Sequence, residues 1–538
     1  MRKAALVKQS RSALDLVDEG LAGAPQRGPA ATFAQNSIIS IGRLLISTAV
    51  ALLLPTFLAH KLSVKTYSAW VLILQMGAYV GYLDFGVQTG ISKYVAEFEA
   101  RNDTKSSSMR ASAGLLIMIA ASVLGVALTL VLAWHVPDLF IEMPPSLYAD
   151  VRLSLVFIGL SLSFGLVCSI CSAIFLGLQR FGIPMGISLV NRVLYTAVIL
   201  GAVFLHSRLA VMGLLVAAVN VLTGLLQVVA WRRLASHVQL SLRGIDRDVI
   251  KKMLTYCSTL AVWTVGMLCV SGLDVTIVGR YDYAQTAFYS IATMPTNFMI
   301  SIAGAALGPF LPTASALAVH RTAGQMGEIL SKATRYTSIL LIVSGIPLLV
   351  GGYWVLRLWV GPAYAVHTVG YLRILVLANI VRNTCLPYSS MLIATDSQNV
   401  AIAGASAEAI VNVVCSAYLA HHIGAIGVAY GTLLGSFVSV GMHFALSMHF
   451  TYSKFSVSRT RLLLVGIVRP VTIAVPSLLL LRSWWSASSP VFGIPTFLLW
   501  VVSTGLLVWY VSLNGSERKK LVGIAVARMR LRPSYNPR

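Results

Sequence analysis

Three arginines stand inside long apolar stretches of this chain, namely Arg43, Arg192 and Arg382. An ionisable side chain at membrane depth costs roughly 2.5–3.5 kcal/mol on insertion scales, so it normally faces protein or water rather than lipid. The planar guanidinium group binds phosphate through two parallel hydrogen bonds. These arginines therefore predict a cationic central cavity that receives an anionic, phosphate-bearing substrate. Snorkelling of Arg43 or Arg192 to an interface is the alternative.

Carboxylates at matching depths offer partners for two of these arginines. Glu408 lies at a depth comparable to that of Arg382, and the two are expected either to neutralise one another or to form a pair that breaks during transport. Asp84 lies in the same half of the membrane as Arg43 and is its candidate partner. A buried Arg43–Asp84 clamp and an Arg43 that faces the cavity both remain open.

One further carboxylate and several uncharged polar side chains complete the candidate site. Asp274, near the end of a span, is expected to form an interfacial ion pair with Arg280 or to take part in coupling. Polar side chains that recur every three or four residues share one face of a helix. The side chains expected to line a cavity in this way are Asn36, Ser40, Asn191, Asn297 and Asn412.

The amino-acid composition indicates what class of protein holds these residues in place. Hydrophobic residues make up 57% of the 538 residues and charged residues only 11%, whereas soluble proteins carry about 25% charged residues. An ordinary soluble protein is therefore excluded. The sequence contains no P-loop, HExxH or GxSxG motif in a suitable context, so we expect no catalytic residue, metal or cofactor.

Apolar runs predict an all-α polytopic membrane protein with about 14 transmembrane helices. The predicted organisation divides the chain into a cytoplasmic tail, two six-helix lobes joined by a linker, two further helices and a basic tail. The boundaries are 1–33, 34–231, 232–251, 252–450, 451–513 and 514–538.

The charged loops predict the orientation. Lys and Arg number 41 against 18 Asp and Glu, and most of the basic residues fall in loops on one side, which marks that side as cytoplasmic. Both termini are then cytoplasmic. Because topology accounts for much of the net charge of +23, a nucleic-acid partner is not required.

A weak internal repeat relates the two lobes. LAHKLSVKTYSAWVLI (58–73) and VGRYDYAQTAFYSIA (278–292) are about 220 residues apart, and each joins two predicted helices. An even number of helices in each half makes the two halves parallel repeats about an axis along the membrane normal.

Two segments resemble a known family. LDFGVQTGISKYVAEFEARND (83–103) is similar to the end of helix two and the amphipathic cytoplasmic helix of polysaccharide flippases, and GLDVTIVGRYDYAQTAFYSIA (272–292) is similar to their turn between helices seven and eight. The chain thus resembles the Wzx-type flippases of the multidrug/oligosaccharidyl-lipid/polysaccharide (MOP) exporter superfamily. It departs mildly at Lys93, where relatives often carry Arg.

The resemblance implies a MATE-like two-lobe fold with two added helices, in the bacterial cytoplasmic (inner) membrane. It also implies translocation of a polyprenyl-diphosphate-linked oligosaccharide, with membrane lipids and polysaccharide assembly proteins as partners. Two alternatives stay open. An ion-coupled exporter of small organic molecules has the same fold but needs unpaired cavity carboxylates. A membrane enzyme such as a glycan polymerase needs a larger outer domain than these short loops provide.

Overall fold

The computed structural model describes residues 53–242, 246–307, 310–318, 322–395, 397, 399–469 and 471, with isolated positions between 502 and 518. The tail 1–33, most of the first predicted helix, most of helices 13 and 14 and nearly all of the basic tail lie outside these residues. The described part of the chain is helical and contains no strand. This agrees with the predicted all-α class.

Ten helices in the described residues are long and apolar enough to cross a membrane, and an eleventh span results if one bent pair is counted as a single crossing. The protein is therefore a multi-pass membrane protein. The first group of helices comprises α1 (Val64–Tyr82), α2 (Val87–Glu99), α3 (Thr104–Trp134), α4 (Pro145–Gly177), α5 (Gly182–Phe204) and α6 (Leu209–Leu234). The second part comprises α7 (Arg247–Met267), α8 (Asp274–Tyr281), α9 (Thr286–Leu307), α10 (Phe310–Ala318), α11 (Ala323–Val360), α12 (Pro362–Asn383), α13 (Leu386–Ala394), α14 (Asn399–Ile423) and α15 (Ala425–Met442).

The bent pair is α1 and α2, whose axes differ by 41°. The sequence predicts one helix to residue 90, but α1 ends at Tyr82 because Phe85 and Gly86 have φ angles of 46° and 76°. These left-handed values stop a helix, and glycine adopts them at little cost. A side chain at position 86 would also meet Leu260 of α7 at 2.5 Å. The amphipathic α2 therefore begins as a separate element.

A second boundary error occurs at α11. The apolar run predicts a helix from 336, but α11 begins at Ala323. Thr322 and Gln325 form a capping box, in which each side chain pairs with the backbone N–H of the other residue. This cap satisfies backbone donors at the helix start, so the helix extends well before its apolar run.

Small residues allow close helix packing in both groups. In the first group α4 contacts α1, α2, α3 and α6, while in the second α12 contacts α9, α11 and α15. A Cβ added to Gly213 of α6 would lie 2.6 Å from the Cα of Ser154 in α4. A Cβ on Gly431 of α15 would lie 2.2 Å from the Oγ of Ser416 in α14. Backbone contact of this kind is typical of helix pairs in membranes.

The helix α7 packs with the first group, although it starts the second half of the sequence. Met253 and Cys257 are buried in the same core cluster as Val95 of α2 and Met118 of α3. Beyond Met267 the helix becomes a π-helical segment, Leu268–Gly272, and α8 then packs against α14 and α15. One predicted span, 252–279, is thus shared between the two groups.

The predicted linker is partly built into the first group. Helix α6 runs to Leu234 and α7 begins at Arg247, so the non-helical connection is shorter than 232–251. Within it, the backbone N–H of Gln239 donates to Ser108 Oγ at 2.9 Å, and Val238 is fully buried. Hydrogen bonding and burial tie this connection to α3.

Candidate functional site

Arg382 and Glu408 form an ion pair between α12 and α14. Arg382 Nε lies 2.5 Å from Glu408 Oε1, and the two side chains are 18% and 8% exposed. Arg382 stands in the last turn of α12, where the negative end of the helix dipole favours a cation. Its Nη2 is buried and has no hydrogen-bond partner in the described part of the chain. The pair therefore uses one side of the guanidinium group.

Asp274 is a second buried carboxylate and begins α8. Its Oδ2 accepts hydrogen bonds from the hydroxyls of Thr432, at 3.1 Å, and Tyr289, at 3.4 Å. Oδ1 is buried and finds no hydrogen-bond donor among the described residues. The positive charge of Arg382 acts on this carboxylate. Two acidic groups thus share the field of one arginine, which leaves the cluster with a formal charge of −1 when all three groups are ionised.

The expected pair between Asp274 and Arg280 is wrong. Arg280 Nη1 instead donates to the backbone carbonyls of Asp138, at 3.1 Å, and Leu139, at 3.5 Å. Asp274 is buried at one end of α8 and Arg280 follows almost two turns later, so the two side chains occupy different surroundings. Neighbouring positions in the sequence did not reveal this separation.

The π-helical segment exposes backbone carbonyls that side chains from both groups bind. Gln75 Nε2 and Tyr79 OH of α1 donate to the Gly272 carbonyl at 2.6 Å and 3.1 Å. Asn412 Nδ2 of α14 donates to the Val270 carbonyl at 2.8 Å. A π turn displaces carbonyls from the regular α-helical pattern, and here these amide and hydroxyl groups satisfy them. Asn412 is fully buried in this arrangement, and its position in a cavity wall stays a prediction.

Further hydrogen bonds join the groups at one end of the helices, which includes residues 62–63, 135–144 and 282–285 and is called the outer end. Tyr283 OH donates to the Lys65 carbonyl at 2.6 Å, and the Tyr283 N–H donates to Glu142 Oε2 at 3.0 Å. The Ala287 N–H donates to Ser68 Oγ at 3.2 Å. These contacts close the two groups against each other at the outer end, while the contacts of Gly272 join them deeper along the helices.

The remaining candidate residues are dispersed. Arg192 is exposed near the middle of α5, and Asn297 is exposed on α9. Asn191 donates to Thr223 of α6 at 2.8 Å, so it joins two helices. Asp84 Oδ1 accepts from the Gln88 N–H at 3.2 Å and caps α2 at the bend. Arg43, Asn36 and Ser40 lie outside the described residues, so the Arg43–Asp84 pair stays a prediction.

Two features were missed in the sequence. Gln75 and Tyr79 gave no signal, because their role depends on a π segment almost 200 residues away. The glycines at 427, 431 and 435 did give one, since small residues spaced by four in an apolar helix indicate a packing face. They lie against α14, close to Glu408 and Asn412.

Comparisons with solved structures identify the fold. The lipid II flippase MurJ, in an inward closed conformation, matches with a TM-score of 0.68 and 12% identity over 90% of this chain and 100% of that chain. An inward-facing multidrug resistance MATE family transporter matches with a TM-score of 0.64 and 14% identity, over 77% of this chain and 98% of that chain. A MOP superfamily transporter from Pyrococcus furiosus, with a binding pocket of reverse polarity, matches with a TM-score of 0.51 and 15% identity, over 77% and 94%.

No family model and no curated protein sequence matches the chain. The structural likeness at these low identities nevertheless shows that the chain has the fold of the MOP superfamily transporters.

Proposed function

We propose that the protein is a flippase that moves a polyprenyl-diphosphate-linked oligosaccharide across the bacterial cytoplasmic membrane, with both termini in the cytoplasm. The observation that carries this proposal is the extent of the structural match. The lipid II flippase is matched over its whole length and over 90% of this chain, whereas the MATE transporter accounts for 77%. A fold does not by itself define a substrate, so the charges inside the membrane must support the choice.

Arg192 is the described arginine best placed to meet a diphosphate. It is exposed in the middle of an apolar helix and has no carboxylate partner among the described residues. Arg382 is held by Glu408 and shares its charge with Asp274, so it offers a substrate only its remaining donor. We therefore place the first diphosphate contacts at Arg192 and at Arg43 of the first predicted helix, with Arg382 as a weaker contributor.

Alternating access supplies the mechanism. In this proposal the chain has 14 helices, of which twelve form two parallel six-helix repeats that rock against each other. The packing of α1, α3 and α6 around α4 resembles that of α9, α11 and α15 around α12, which supports the repeat. Separating the groups requires the hydrogen bonds of Tyr283 at the outer end to break and, deeper along the helices, the Gly272 carbonyl to release Gln75 and Tyr79. The glycan then crosses between the groups while the polyprenyl tail stays in lipid, along a groove that the last two helices form. Polysaccharide assembly proteins would receive the product.

An ion-coupled exporter of small organic molecules is the second candidate. The likeness to the MATE transporter and the buried Asp274, with one oxygen that has no donor among the described residues, favour it. Such an exporter uses carboxylates to attract organic cations, so the two candidates require opposite substrate charge.

Transport in vesicles separates them. The purified full chain would be reconstituted with a fluorescent polyprenyl diphosphate that carries a short oligosaccharide, and the fraction reached by an impermeant quencher would be followed. We expect the wild type to move the lipid and Arg192→Gln to slow it at least tenfold. Arg208→Gln, an exposed arginine that precedes α6, should retain transport. Export of a cationic dye without movement of the lipid would refute the proposal.

A further inference from the structure

A cluster of rings and cations lies at the end of the helices opposite to the outer end. Lys93, Tyr94 and Phe98 of α2 meet Arg110 of α3 and Tyr256 of α7 there. These five side chains are called the aromatic-cation cluster. Three helices contribute to it, and α7 is the one that continues into the second group.

The geometry brings both cations to the Tyr94 ring, and each cation also lies over a second ring. Lys93 Nζ is 4.9 Å from the centre of the Tyr256 ring and 5.8 Å from that of Tyr94. Arg110 Cζ is 4.8 Å from the Tyr94 ring centre and 5.8 Å from that of Phe98. Tyr94 and Tyr256 pack edge to face at 6.0 Å. The ring faces attract the cations but carry no formal charge that would neutralise them.

The ion-pair contacts of the two glutamates on this part of α2 are with other basic side chains. Glu97 pairs with Arg101 at 2.8 Å, and Glu99 lies 3.7 Å from His237. Neither Lys93 nor Arg110 forms an ion pair with any described residue. Arg110 Nη1 is shielded from solvent and has no hydrogen-bond partner within the described ranges. This guanidinium donor is therefore left with one hydrogen bond that an external acceptor could accept.

The position of the cluster indicates the source of that acceptor. Helix α2 is amphipathic and follows the bend at the end of α1, and the exposed Lys251 and Lys252 lie at the nearby start of α7. Amphipathic helices and tyrosines at such positions lie at the level of the lipid headgroups. We propose that the aromatic-cation cluster binds the phosphate of an anionic phospholipid in the adjacent leaflet.

This site is independent of the transported substrate and of the proposed function. Lys93 and Arg110 belong to the first group, whereas Tyr256 belongs to α7. A phosphate bound between the two cations therefore holds Lys93 against Tyr256 of α7 and Arg110 against Tyr94 of α2, which strengthens the packing of α7 on α2 and α3. Anionic phospholipid should accordingly stabilise the protein in the described arrangement.

Lipid titration of the purified full chain tests the proposal. Phosphatidylglycerol, with phosphatidylcholine as the neutral control, would be added in detergent, while binding is counted by native mass spectrometry and the melting temperature is followed. The wild type should bind phosphatidylglycerol and melt higher, with no such shift for phosphatidylcholine. The double change Lys93→Gln with Arg110→Gln should weaken binding roughly 30-fold, because each basic side chain near an anionic lipid contributes about a factor of five.

Two controls guard the interpretation. Arg101→Gln, which removes a cation already paired with Glu97, should bind phosphatidylglycerol like the wild type, and Lys93→Arg should do the same because the charge survives. Equal binding by the double glutamine variant would overturn the proposal. An equal shift with inorganic phosphate would also overturn it, because the occupant would then be a soluble anion. If the double variant fails to fold, loss of binding in Arg110→Gln alone decides the outcome.

Discussion

Breaking the Arg382–Glu408 pair should expose an asymmetry between its two partners. Two unit charges about 4 Å apart attract by roughly 4 kcal/mol at an effective dielectric constant near 20, and losing one partner of a buried pair costs about 3–5 kcal/mol. Arg382→Gln leaves both Glu408 and Asp274 without their cation, so we expect a loss near 4 kcal/mol. Glu408→Gln leaves Arg382 able to turn its charge toward Asp274, so the loss should be about half as large.

The double change should recover part of this loss. Only Asp274 then lacks a cation, so the double variant should lose less than Arg382→Gln alone, and the coupling energy should exceed about 2 kcal/mol. Unfolding by SDS in mixed micelles measures these differences. Arg373→Gln serves as the matched control, since it is an exposed arginine on the same helix whose Nε donates to the Leu349 carbonyl at 2.9 Å.

Three results would refute this reasoning. These are additive single effects, a greater loss for Glu408→Gln than for Arg382→Gln, or an equal loss for Arg373→Gln. Transport by the same variants tests their roles. Recovery in the double variant supports a structural pair, whereas a folded but inactive double variant supports separate functions in substrate binding and coupling.

The remaining predictions concern packing, closure and topology. Gly431→Ala should lower stability by about 1–3 kcal/mol through overpacking, while Gly441→Ala on the same helix, where an added Cβ meets nothing within 4 Å, should have little effect on the melting temperature. Gln75→Leu removes one hydrogen bond that joins the two groups at Gly272, so cross-linking between the groups at the outer end should fall; unchanged cross-linking would contradict the role. A cysteine introduced at Lys105 should resist an impermeant label in intact cells, whereas one at Asp138 should react; the reverse pattern would overturn the predicted orientation.

Hydropathy predicted the helical architecture well, because lipid requires long apolar helices wherever the chain crosses. Boundaries failed where polar local interactions extend or stop a helix. Thr322 caps α11, which begins thirteen residues before the predicted start, and an apolar count cannot detect this cap. Phe85 and Gly86 end α1 inside an apolar run through their backbone conformation.

The sequence predicts which charged residues belong to the site, but it does not predict all of their partners. The similar membrane depth of Arg382 and Glu408 predicts that they can pair, since a buried charge requires a nearby opposite charge. Asp274 was assigned to the wrong neighbour because the π segment turns α8 toward Thr432 and Tyr289. Local sequence does not encode such a turn, and its stabilisation depends on side chains from α1 and α14.

The shared helix α7 has a consequence for biogenesis. During synthesis the first six spans enter the membrane before α7, and the surface around Gly90 and Gly114 then lacks Tyr256 and Met253, which pack 3.2 Å and 3.3 Å from added Cβ positions there. The first half of the molecule is therefore unfinished until the seventh span arrives. A chain truncated after residue 234 should be degraded quickly, whereas one that ends just beyond the π segment should persist. The two halves therefore do not fold one after the other as separate domains, because α7 from the second half of the sequence completes the first group.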